Sequence, residues 1–408
     1  MRASESHPQF KSKVREYTNF ATRGLTKVCK EIGPRPAGSE AELKAQEYME
    51  NEYKTCADET HIEAFETHPD AFLGSLKAAA VLMTAAIVLC VLRLYIIALT
   101  PAVLAVIVLF GELLLRGQII DFLFPKKTSH NLIAVRKASG ETKRRLILSG
   151  HMDSSPEWTP AYLGGKGLMS FVKIYAALGF VYIAVVGVLG IVLPADSGVL
   201  HILGWVSLAF LPAYALLFFF ASKKNAAQGA NTDLTGVFCA AAVMKYMADH
   251  DLRFENTELV CMATGSREAG LRGAKAYVKA HADEIRNGGV ETLFISVDTV
   301  RDYDAQTVYE KSGGAAMDPR ACALLKKAGE LSEVELQTAS GESDAAAVAK
   351  AGIPAAVYSA AGKEAGKLMR TRNDNWENVD RKSVEKGVEI LINAAYLFDE
   401  QGLEESYR

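Results

Sequence analysis

Four long apolar stretches constrain what this chain can fold into more than any other feature. They lie at residues 72–92, 94–115, 168–193 and 199–221. Each reaches the ~20 apolar residues that a helix needs to cross the hydrocarbon core of a bilayer. Because short polar breaks separate the members of each pair, the sequence predicts two transmembrane helical hairpins with four spans. The alternative is a set of buried core helices in one large soluble domain.

Each hairpin returns the chain to the side of the membrane that it left, so the other segments share one side. The predicted organisation is one α/β domain from residues 1–71, 125–167 and 223–408, a first hairpin at 72–124 and a second at 168–222. Lysine and arginine residues flank the spans on the side of the domain, whereas the opposite turns carry little besides Arg93. The positive-inside rule therefore predicts an integral protein of the cell membrane whose soluble domain is cytoplasmic.

Composition and residue order restrict the remaining possibilities. The net charge of −3 does not favour nucleic acid as a partner. Six scattered cysteines form no CxxC pair, which argues for a reducing compartment and against a thiolate zinc site. Outside the apolar stretches, strand-like runs alternate with helical patterns. This alternation predicts an α/β fold with a doubly wound, mainly parallel sheet.

The stretch LILSGHMDS at residues 146–154 carries the first candidate site. An apolar strand ends there and is followed by His151 and Asp153, at the end of a strand where open α/β sheets collect their chemistry. One ring nitrogen of His151 could bind a metal while Asp153 orients the other. The alternative is a polar strand end that only solvates a turn. Earlier in the chain, Ser39 and Glu42 have the spacing of a capping box at a helix start.

Seven motifs follow one another through the non-membrane chain. They are GPRPAGSEAE, LILSGHMDS, GANTDLTG, REAGLRGA, a strand ending in VD, SGESDAAAVAKAGIPA and RTRNDNWENVD. In this order they resemble the di-zinc aminopeptidase family, which includes bacterial leucine aminopeptidases, glutamate carboxypeptidase-like enzymes and the transferrin receptor. The resemblance implies a sheet of zinc-aminopeptidase type that holds two zinc ions, a bridging carboxylate, and a glutamate that takes the proton of the attacking water.

The resemblance assigns metal-site roles to four residues of this chain. His151 matches the histidine of the first metal, and Asp153 matches the carboxylate that orients it. Glu268 matches the carboxylate of the second metal, and Asp298 matches the other carboxylate of the first. We therefore expect His151, Glu268 and Asp298 to be vestigial ligands, with Asp153, Asp233, Asp344 and Asp374 around them.

Three positions depart from the family pattern. Thr232 stands where the bridging aspartate belongs, and Asp233, one residue later, is expected to point elsewhere. Arg267 occupies the general-base position, and Arg370 replaces the last histidine ligand. Arginine stays protonated and has no lone pair for a metal, so no catalytic residue is expected to be intact.

These departures suggest how a pocket rich in carboxylates could stay neutral without metal. Arg267 and Arg370 are expected to pair with Glu268, Asp298 and Asp233 and so to replace the charge of the zinc ions. Zinc is the cofactor that the resemblance implies, with no ion or one weakly bound ion expected here.

The motifs and their departures are compatible with three classes of function. The first is a membrane-anchored, non-catalytic homologue that binds a peptide or a protein partner. The second is an active membrane zinc aminopeptidase that removes N-terminal residues, with Asp233 as bridge and Asp344 as a further donor, or its variant, a single-metal hydrolase or cyclase. The third, a transporter or channel, is disfavoured because the span interiors nearly lack ionisable residues. Trp376 is expected to be a packing anchor.

Overall fold

The computed structural model describes residues 13–194 and 196–403. The chain divides into two compact units. The sheet unit contains Met1–Thr67, Lys127–Ser155 and Ala226–Arg408, and the helical unit contains His68–Lys126 and Pro156–Asn225. Each unit is therefore assembled from segments that are not contiguous in sequence.

Eleven strands and thirteen α-helices form the described part of the chain. The strands are β1 (Glu59–Thr67), β2 (Lys127–Arg136), β3 (Arg144–His151), β4 (Glu157–Trp158), β5 (Ala221–Ser222), β6 (Thr257–Thr264), β7 (Glu291–Val300), β8 (Thr307–Ser312), β9 (Ala315–Ala316), β10 (Gln337–Gly341) and β11 (Ala355–Ala360). The helices are α1 (Val14–Glu31), α2 (Glu40–Tyr53), α3 (Ala71–Val91), α4 (Tyr95–Leu109), α5 (Thr159–Val192), α6 (Gly198–Val206), α7 (Leu211–Phe218), α8 (Thr235–Asp249), α9 (Arg272–Asn287), α10 (Pro319–Leu331), α11 (Ala345–Lys350), α12 (Ala365–Leu368) and α13 (Arg381–Gln401).

The sheet unit is organised around one mixed sheet with the strand order β1-β2-β6-β3-β7-β11-β8-β10. Its centre, β6-β3-β7-β11, is parallel throughout. The flanking strands β2 and β8 run antiparallel to their central neighbours, and β10 runs parallel to β8. The α/β class and the mostly parallel centre of the sheet are as the sequence predicts.

The central strands are buried along consecutive residues, as every residue of β11 illustrates. Such burial requires helices on both faces of the sheet. Helices α8 and α13 pack together and contact β3 and β7, while α11 packs with α9 and contacts β7, β8 and β11. The doubly wound arrangement therefore follows from apolar strands that have no solvent face.

Three elements differ from what the sequence pattern indicates. The pattern at residues 331–336 indicates an extended segment, but Leu331 ends α10, a turn follows, and the strand begins only at Gln337. The pattern does not indicate β8, because its sequence TVYEKS lacks a sustained apolar run. The apolar residues 146–148 indicate a strand, and β3 extends beyond them on both sides, Arg144–His151, because the flanking residues also pair with β6.

The helical unit contains four helical segments that are long and apolar enough to cross a membrane. They are Ala71–Val91, Tyr95–Leu114, Thr159–Val192 and Gly198–Phe218, with mean hydropathy from 1.8 to 2.4. Helix α5 begins well before the predicted span at residue 168 and is kinked at Gly164 and Gly165, where the backbone leaves helical geometry. Among the described residues, all exposed large apolar side chains except Tyr303 and Leu331 belong to this unit. Outward apolar surface of this extent is typical of helices that face lipid.

Helix α8 packs so closely on the sheet that its backbone approaches the backbones of β3 and β7. A Cβ atom on Gly236 would lie 2.0 Å from the Val297 carbonyl oxygen, and one on Gly150 would lie 2.4 Å from the Val237 nitrogen. These glycines permit a helix–strand approach that any side chain would block.

We predict that Gly236→Ala destabilises the protein because the β7 backbone cannot yield easily to the added methyl group. The expected loss is about 3 kcal/mol, a fall in melting temperature of roughly 5–10 °C. Gly198→Ala is the matched control, because a Cβ atom there meets nothing within 4 Å. Equal melting temperatures for the two variants in a thermal unfolding assay would contradict the packing argument.

Candidate functional site

The candidate site lies where three parallel strands end side by side. Strands β6, β3 and β7 are neighbours, and each is followed or completed by a polar segment. His151 ends β3, residues 265–268 follow β6, and Asp298 lies near the end of β7. A turn at Ala230–Leu234, immediately before α8, supplies a fourth segment. Polar residues remote in sequence thus meet at one edge of the sheet, as this architecture predicts.

Three buried residues could together hold a metal ion. His151, Asp233 and Glu268 each offer one ligand atom, and these atoms lie within 4.8 Å of one another. The His151 Nε2 atom is 3.5 Å from Asp233 Oδ1. Within the described residues, His151 Nε2 and Asp233 Oδ2 are buried without a hydrogen-bond partner. Nε2 nevertheless lies close enough to the other oxygen of Asp233, Oδ1, for an ion pair when the imidazole is protonated.

The position of Asp233 corrects the expectation that it would point away from the site. Its segment is a π-helical turn in which Leu234 N–H donates to the Gly229 carbonyl at 2.9 Å, five residues back. Such a wide turn accommodates one additional residue relative to an α-helical start. Asp233, rather than Thr232, therefore faces His151.

Asp153 fixes both His151 and the loop after β6. Its Oδ1 atom lies 3.3 Å from His151 Nδ1, so it faces the ring nitrogen opposite the one near Asp233. The same carboxylate accepts the backbone N–H groups of Arg267 and Glu268, each at 2.9 Å. Asp153 is fully buried and is thus a positioning group for the rest of the site.

Two guanidinium groups occupy the oxygens of Glu268. Arg370 Nε donates to Glu268 Oε2 at 2.8 Å, and Arg267 Nη1 contacts Glu268 Oε1. Arg267 also donates through Nη2 to Asp298 Oδ2 at 3.0 Å and to the Glu342 carbonyl at 2.7 Å. The two arginines were expected to pair with Glu268, Asp298 and Asp233. Glu268 and Asp298 do contact them, whereas Asp233 lies against His151.

Burial and neighbouring charges shift the pKa of each ionisable group in this cluster. Burial alone would raise the pKa of Glu268, but Arg370 and Arg267 hold that pKa well below its ordinary value. Burial opposes a charge on His151, yet Asp233 and Asp153 outweigh it and raise the pKa of the imidazole. Burial also raises the pKa of Asp233, against the influence of His151. A metal at His151 Nε2 would have to displace a proton that these carboxylates favour.

Asp374 and Asp344 serve the structure around the site. Asp374 accepts the Asn231 N–H at 2.8 Å, and its Oδ2 lies 2.5 Å from Thr232 Oγ1, so it holds the turn that carries Asp233. Burial raises the pKa of Asp374, and these donors oppose that rise. Asp344 accepts the Thr264 hydroxyl at 2.5 Å, and burial raises its pKa as well. Neither belongs to the group of three potential ligands.

The residues present do not fit two zinc ions. A zinc site requires three or four donors from histidine, aspartate, glutamate or cysteine for each ion. Thr232 turns its hydroxyl to Asp374, and Arg267 and Arg370 place cations where a base and a ligand would be needed. For one ion, three donors are close together, but both oxygens of the Glu268 carboxylate already contact arginine.

Three residues near the site have left-handed backbone conformations that side chains rarely adopt. They are Ser266 with φ of 53°, Leu271 with φ of 61° and Arg370 with φ of 58°. Each such position costs on the order of 1–3 kcal/mol and persists only where surrounding contacts enforce it. Ser266 and Leu271 thus lie on either side of Arg267 and Glu268, and the third position is Arg370 itself.

Two buried residues support the site in ways that the sequence did not indicate, although Glu42 was expected to cap a helix. Arg35 is fully buried and donates to the Met152 and Gln228 carbonyls, each at 2.8 Å. Glu42 accepts the Ser266 N–H at 2.7 Å and the Ser129 hydroxyl at 2.8 Å. Both lie in the motif GPRPAGSEAE. The available signal was that Arg35 and Glu42 are charged residues close to the start of a helix.

Breaking the arginine cluster should be costly. Glu268→Gln would leave the guanidinium of Arg267 with the carboxylate of Asp298 and would remove the charge of the carboxylate that Arg370 contacts. We expect a loss of about 3–5 kcal/mol of stability, because an uncompensated buried charge is expensive. Glu40→Gln, which removes an exposed partner of Lys44, should cost less than about 1 kcal/mol. Thermal unfolding with a chelator present measures both, and an unchanged melting temperature for Glu268→Gln would refute the prediction.

Glu42 should make stability depend on pH near neutrality. Burial and the nearby Asp153 raise its pKa to about 8, against the hydrogen bonds that it accepts. The folded protein then binds one more proton than the unfolded chain between the ordinary carboxyl pKa and that value. Stability from this group is therefore complete at acidic pH and falls as the pH rises toward 8, by at most about 1.4 kcal/mol per unit.

The test is the melting temperature as a function of pH in Glu42→Gln, which cannot ionise. Its slope between about pH 5 and pH 8 should be flatter than that of the parent protein. Glu40→Gln, at an exposed position on the same helix, should retain the parent slope. Identical slopes in Glu42→Gln and the parent would show that Glu42 is already ionised at acidic pH.

Comparisons with known proteins place this geometry in a family. Residues 217–395 match peptidase family M28. This segment includes Asp233, Arg267, Glu268, Asp298 and Arg370 but not His151. No curated protein matches the chain in sequence.

Solved structures of similar fold extend the likeness to the described chain as a whole. An aminopeptidase from Aneurinibacillus sp. strain AM-1 has a TM-score of 0.56 at 17% identity, with 95% of each chain covered. A zinc aminopeptidase from Bacillus subtilis has a TM-score of 0.55 at 13% identity, with 93% of this chain and 94% of the other covered. An Acidobacteriales bacterium glutaminyl cyclase has a TM-score of 0.55 at 11% identity, with coverage of 95% and 96%. Residues 217–395 thus have the sequence of a peptidase family M28 domain, and the shared fold confirms, for the chain as a whole, the aminopeptidase-like fold that the motifs imply.

Proposed function

We propose that this chain is a membrane-anchored, non-catalytic relative of the zinc aminopeptidases, in which an ion-pair network replaces the di-zinc site. The observation that carries the proposal is the occupation of Glu268 by both Arg267 and Arg370. The four apolar helices would anchor the chain in the bilayer, and the flanking basic residues would keep the sheet unit cytoplasmic. The pocket would retain a binding role for a peptide or a protein partner.

Charge balance supports this proposal. The side chains of Arg267 and Glu268 are 10% and 6% exposed, and that of Asp298 is 8% exposed. Two guanidinium groups and two carboxylates in contact are neutral as a set, so they need no dication for compensation. A zinc ion at Glu268 would have to displace at least one arginine and then remain beside its positive charge. Such an arrangement disfavours metal where the family usually holds it.

The loss of the general base supports the same conclusion. Metal-assisted hydrolysis needs a group that accepts the proton of the attacking water. Arg267 occupies that position and cannot accept a proton at physiological pH. Burial lowers the pKa of Arg267, but Asp298 and Glu268 outweigh that effect and raise it. The side chain therefore stays charged in this pocket.

One observation favours a second candidate, a single-metal hydrolase. His151, Asp233 and Glu268 supply three donor atoms close together, and His151 Nε2 and Asp233 Oδ2 lack hydrogen-bond partners among the described residues. Three protein donors with a fourth position left for water is the usual composition of a catalytic zinc site. This candidate requires Glu268 to exchange an arginine for the ion.

Zinc content distinguishes these two functions. We expect full-length protein purified in detergent to contain no stoichiometric zinc by elemental mass spectrometry and to lack aminopeptidase activity. The variant Arg267→Glu/Arg370→His restores a base and a ligand while it removes both cations, so it should gain zinc. Glu364→Ala, which alters an exposed carboxylate, is the control for non-specific loss of metal.

Either of two results would overturn the proposal. Stoichiometric zinc in the parent protein that is lost in Glu268→Ala would establish a surviving metal site. Zinc-dependent release of N-terminal residues by the parent protein, abolished in His151→Ala, would establish an active enzyme. Zinc in the parent protein without that activity would leave a metal-binding but non-catalytic relative and would refute the ion-pair replacement.

A further inference from the structure

A second concave site lies in the sheet unit, built from residues outside the M28 pocket. It is a cleft of about 430 Å³ between the later turns of α1 and the segment that leads into α13. Helix α1 contributes Arg23, Lys27, Lys30 and Glu31, and the other wall contributes Trp376 and Arg381. Its volume is in the range of pockets that bind small molecules. The cleft is thus large enough for a ligand and carries an unusual set of charges.

Four cations line this cleft against one carboxylate, that of Glu31. Arg23, Lys27 and Lys30 have the i, i+4, i+7 spacing that places side chains on one face of a helix. Like charges at this spacing repel one another by a few tenths of a kcal/mol per pair. A cation near the carboxyl end of a helix interacts favourably with the helix dipole, and Lys30 is the basic residue in the last turn of α1. Arg23 and Lys27 lie before that turn, so the dipole does not account for them.

Carboxylates do not neutralise these cations in the part of the chain that the structure describes. Arg23 Nε donates to the Asn19 carbonyl at 3.2 Å, and Arg381 contacts the Asn19 side-chain oxygen. Lys27 Nζ lies 5.1 Å from the centre of the Tyr48 ring, and Lys30 Nζ lies 4.0 Å from the centre of the Trp376 ring. These contacts with oxygen dipoles and aromatic faces leave the charge of the cations uncompensated.

The aromatic wall has a defined geometry of its own. Trp376 begins a short 3₁₀ turn that Asn375 caps by accepting the Glu377 N–H at 3.0 Å. The indole is partly exposed and packs against the hydrophobic core of the sheet unit. It therefore combines the expected packing role with a wall of the cleft. Exposed cations beside a partly exposed aromatic ring form a surface that suits an anion.

We propose that this cleft binds a phosphate group. Phosphate offers several oxygens and up to two negative charges to donors on opposite walls, whereas a carboxylate offers two oxygens and one charge. The guanidinium groups of Arg23 and Arg381 suit paired contacts with phosphate oxygens, and Lys27 and Lys30 add mobile donors. The same chemistry serves a soluble phosphate compound and a phospholipid headgroup, so the experiment separates these sources.

The test uses the full-length protein in nanodiscs of zwitterionic phosphatidylcholine. The chain has three tryptophans, so Trp158→Phe/Trp205→Phe leaves Trp376 as the only indole reporter. Titration with inorganic pyrophosphate at constant ionic strength should change the Trp376 emission with saturation. Lys27→Gln/Arg381→Gln, which retains the Lys30–Trp376 contact, should weaken binding by at least about tenfold.

A matched control removes the same charge elsewhere on the sheet unit. Lys279→Gln/Lys363→Gln changes two exposed lysines that do not line the cleft, and its affinity for pyrophosphate should equal that of the parent. Melting temperatures of all variants report whether each is folded. If a double variant unfolds, Arg381→Gln alone replaces it, because Arg381 is exposed at the start of α13.

A second arm replaces part of the phosphatidylcholine with anionic phosphatidylglycerol and omits pyrophosphate. An emission change that requires Lys27 and Arg381 would assign the phosphate to a lipid headgroup, and a response to pyrophosphate alone would assign it to a soluble ligand. The proposal is overturned if neither probe gives a saturable change, or if the control variant weakens binding as much as the cleft variant.

Discussion

Parallel pairing of β3 with its two neighbours is the constraint on which the site depends. His151 lies opposite Thr264 of β6, and Ser149 lies opposite Ser296 of β7, so the strands end almost level. Because all three point the same way, the segments that follow them emerge at one edge with their polar groups together. Asp153 then ties His151 to the backbone of Arg267 and Glu268. The pocket is therefore a property of the sheet and holds its shape whether or not it does chemistry.

The same scaffold explains how a metal pocket could change its occupant. A buried cluster of carboxylates is unstable unless positive charge accompanies it, whether as a metal or as arginine. Arginine is suited to this substitution, because its planar group pairs with two oxygens at once and stays charged when buried. Arg267 spans Glu268 and Asp298, while Arg370 approaches Glu268 from a backbone position with φ of 58°. The left-handed backbone at Arg370 costs free energy, and the contact of its side chain with Glu268 is an interaction that can offset this cost.

The sequence was informative where one strong pattern decided the outcome. Long apolar runs identified the helical unit, and short apolar runs identified the buried central strands, because burial on both faces demands uniform apolarity. The apolar pattern did not identify β8, because this strand lies near the edge of the sheet and only part of its surface is buried. At the site, motif order pointed to His151, Glu268 and Asp298 as ligands, but Asp298 contacts Arg267 and lies outside the group of three potential ligands. Position along a helix gave the wrong direction for Asp233, since a π turn changes the phase. Glu42 shows the same limit: Ser39 accepts its N–H as a helix cap should, yet its carboxylate accepts the Gly38 N–H instead of the Ser39 N–H and also binds Ser129 and Ser266. Such choices depend on residues distant in sequence.

The two insertions also impose an order of events on synthesis. Strand β1 pairs with β2, but the first half of the helical unit separates them in the chain, and the second half separates β3 from its partner β6. A ribosome completes α1, α2 and β1 long before the centre of the sheet exists. These elements must therefore wait as an incomplete, partly apolar surface until the strands encoded after both insertions emerge. Loop closure of this length slows folding more than it weakens the final structure. Helix α2 illustrates both sides of this wait: Ser39 caps its start at once, whereas its apolar residues Ala45, Met49 and Tyr53 are buried in the completed fold.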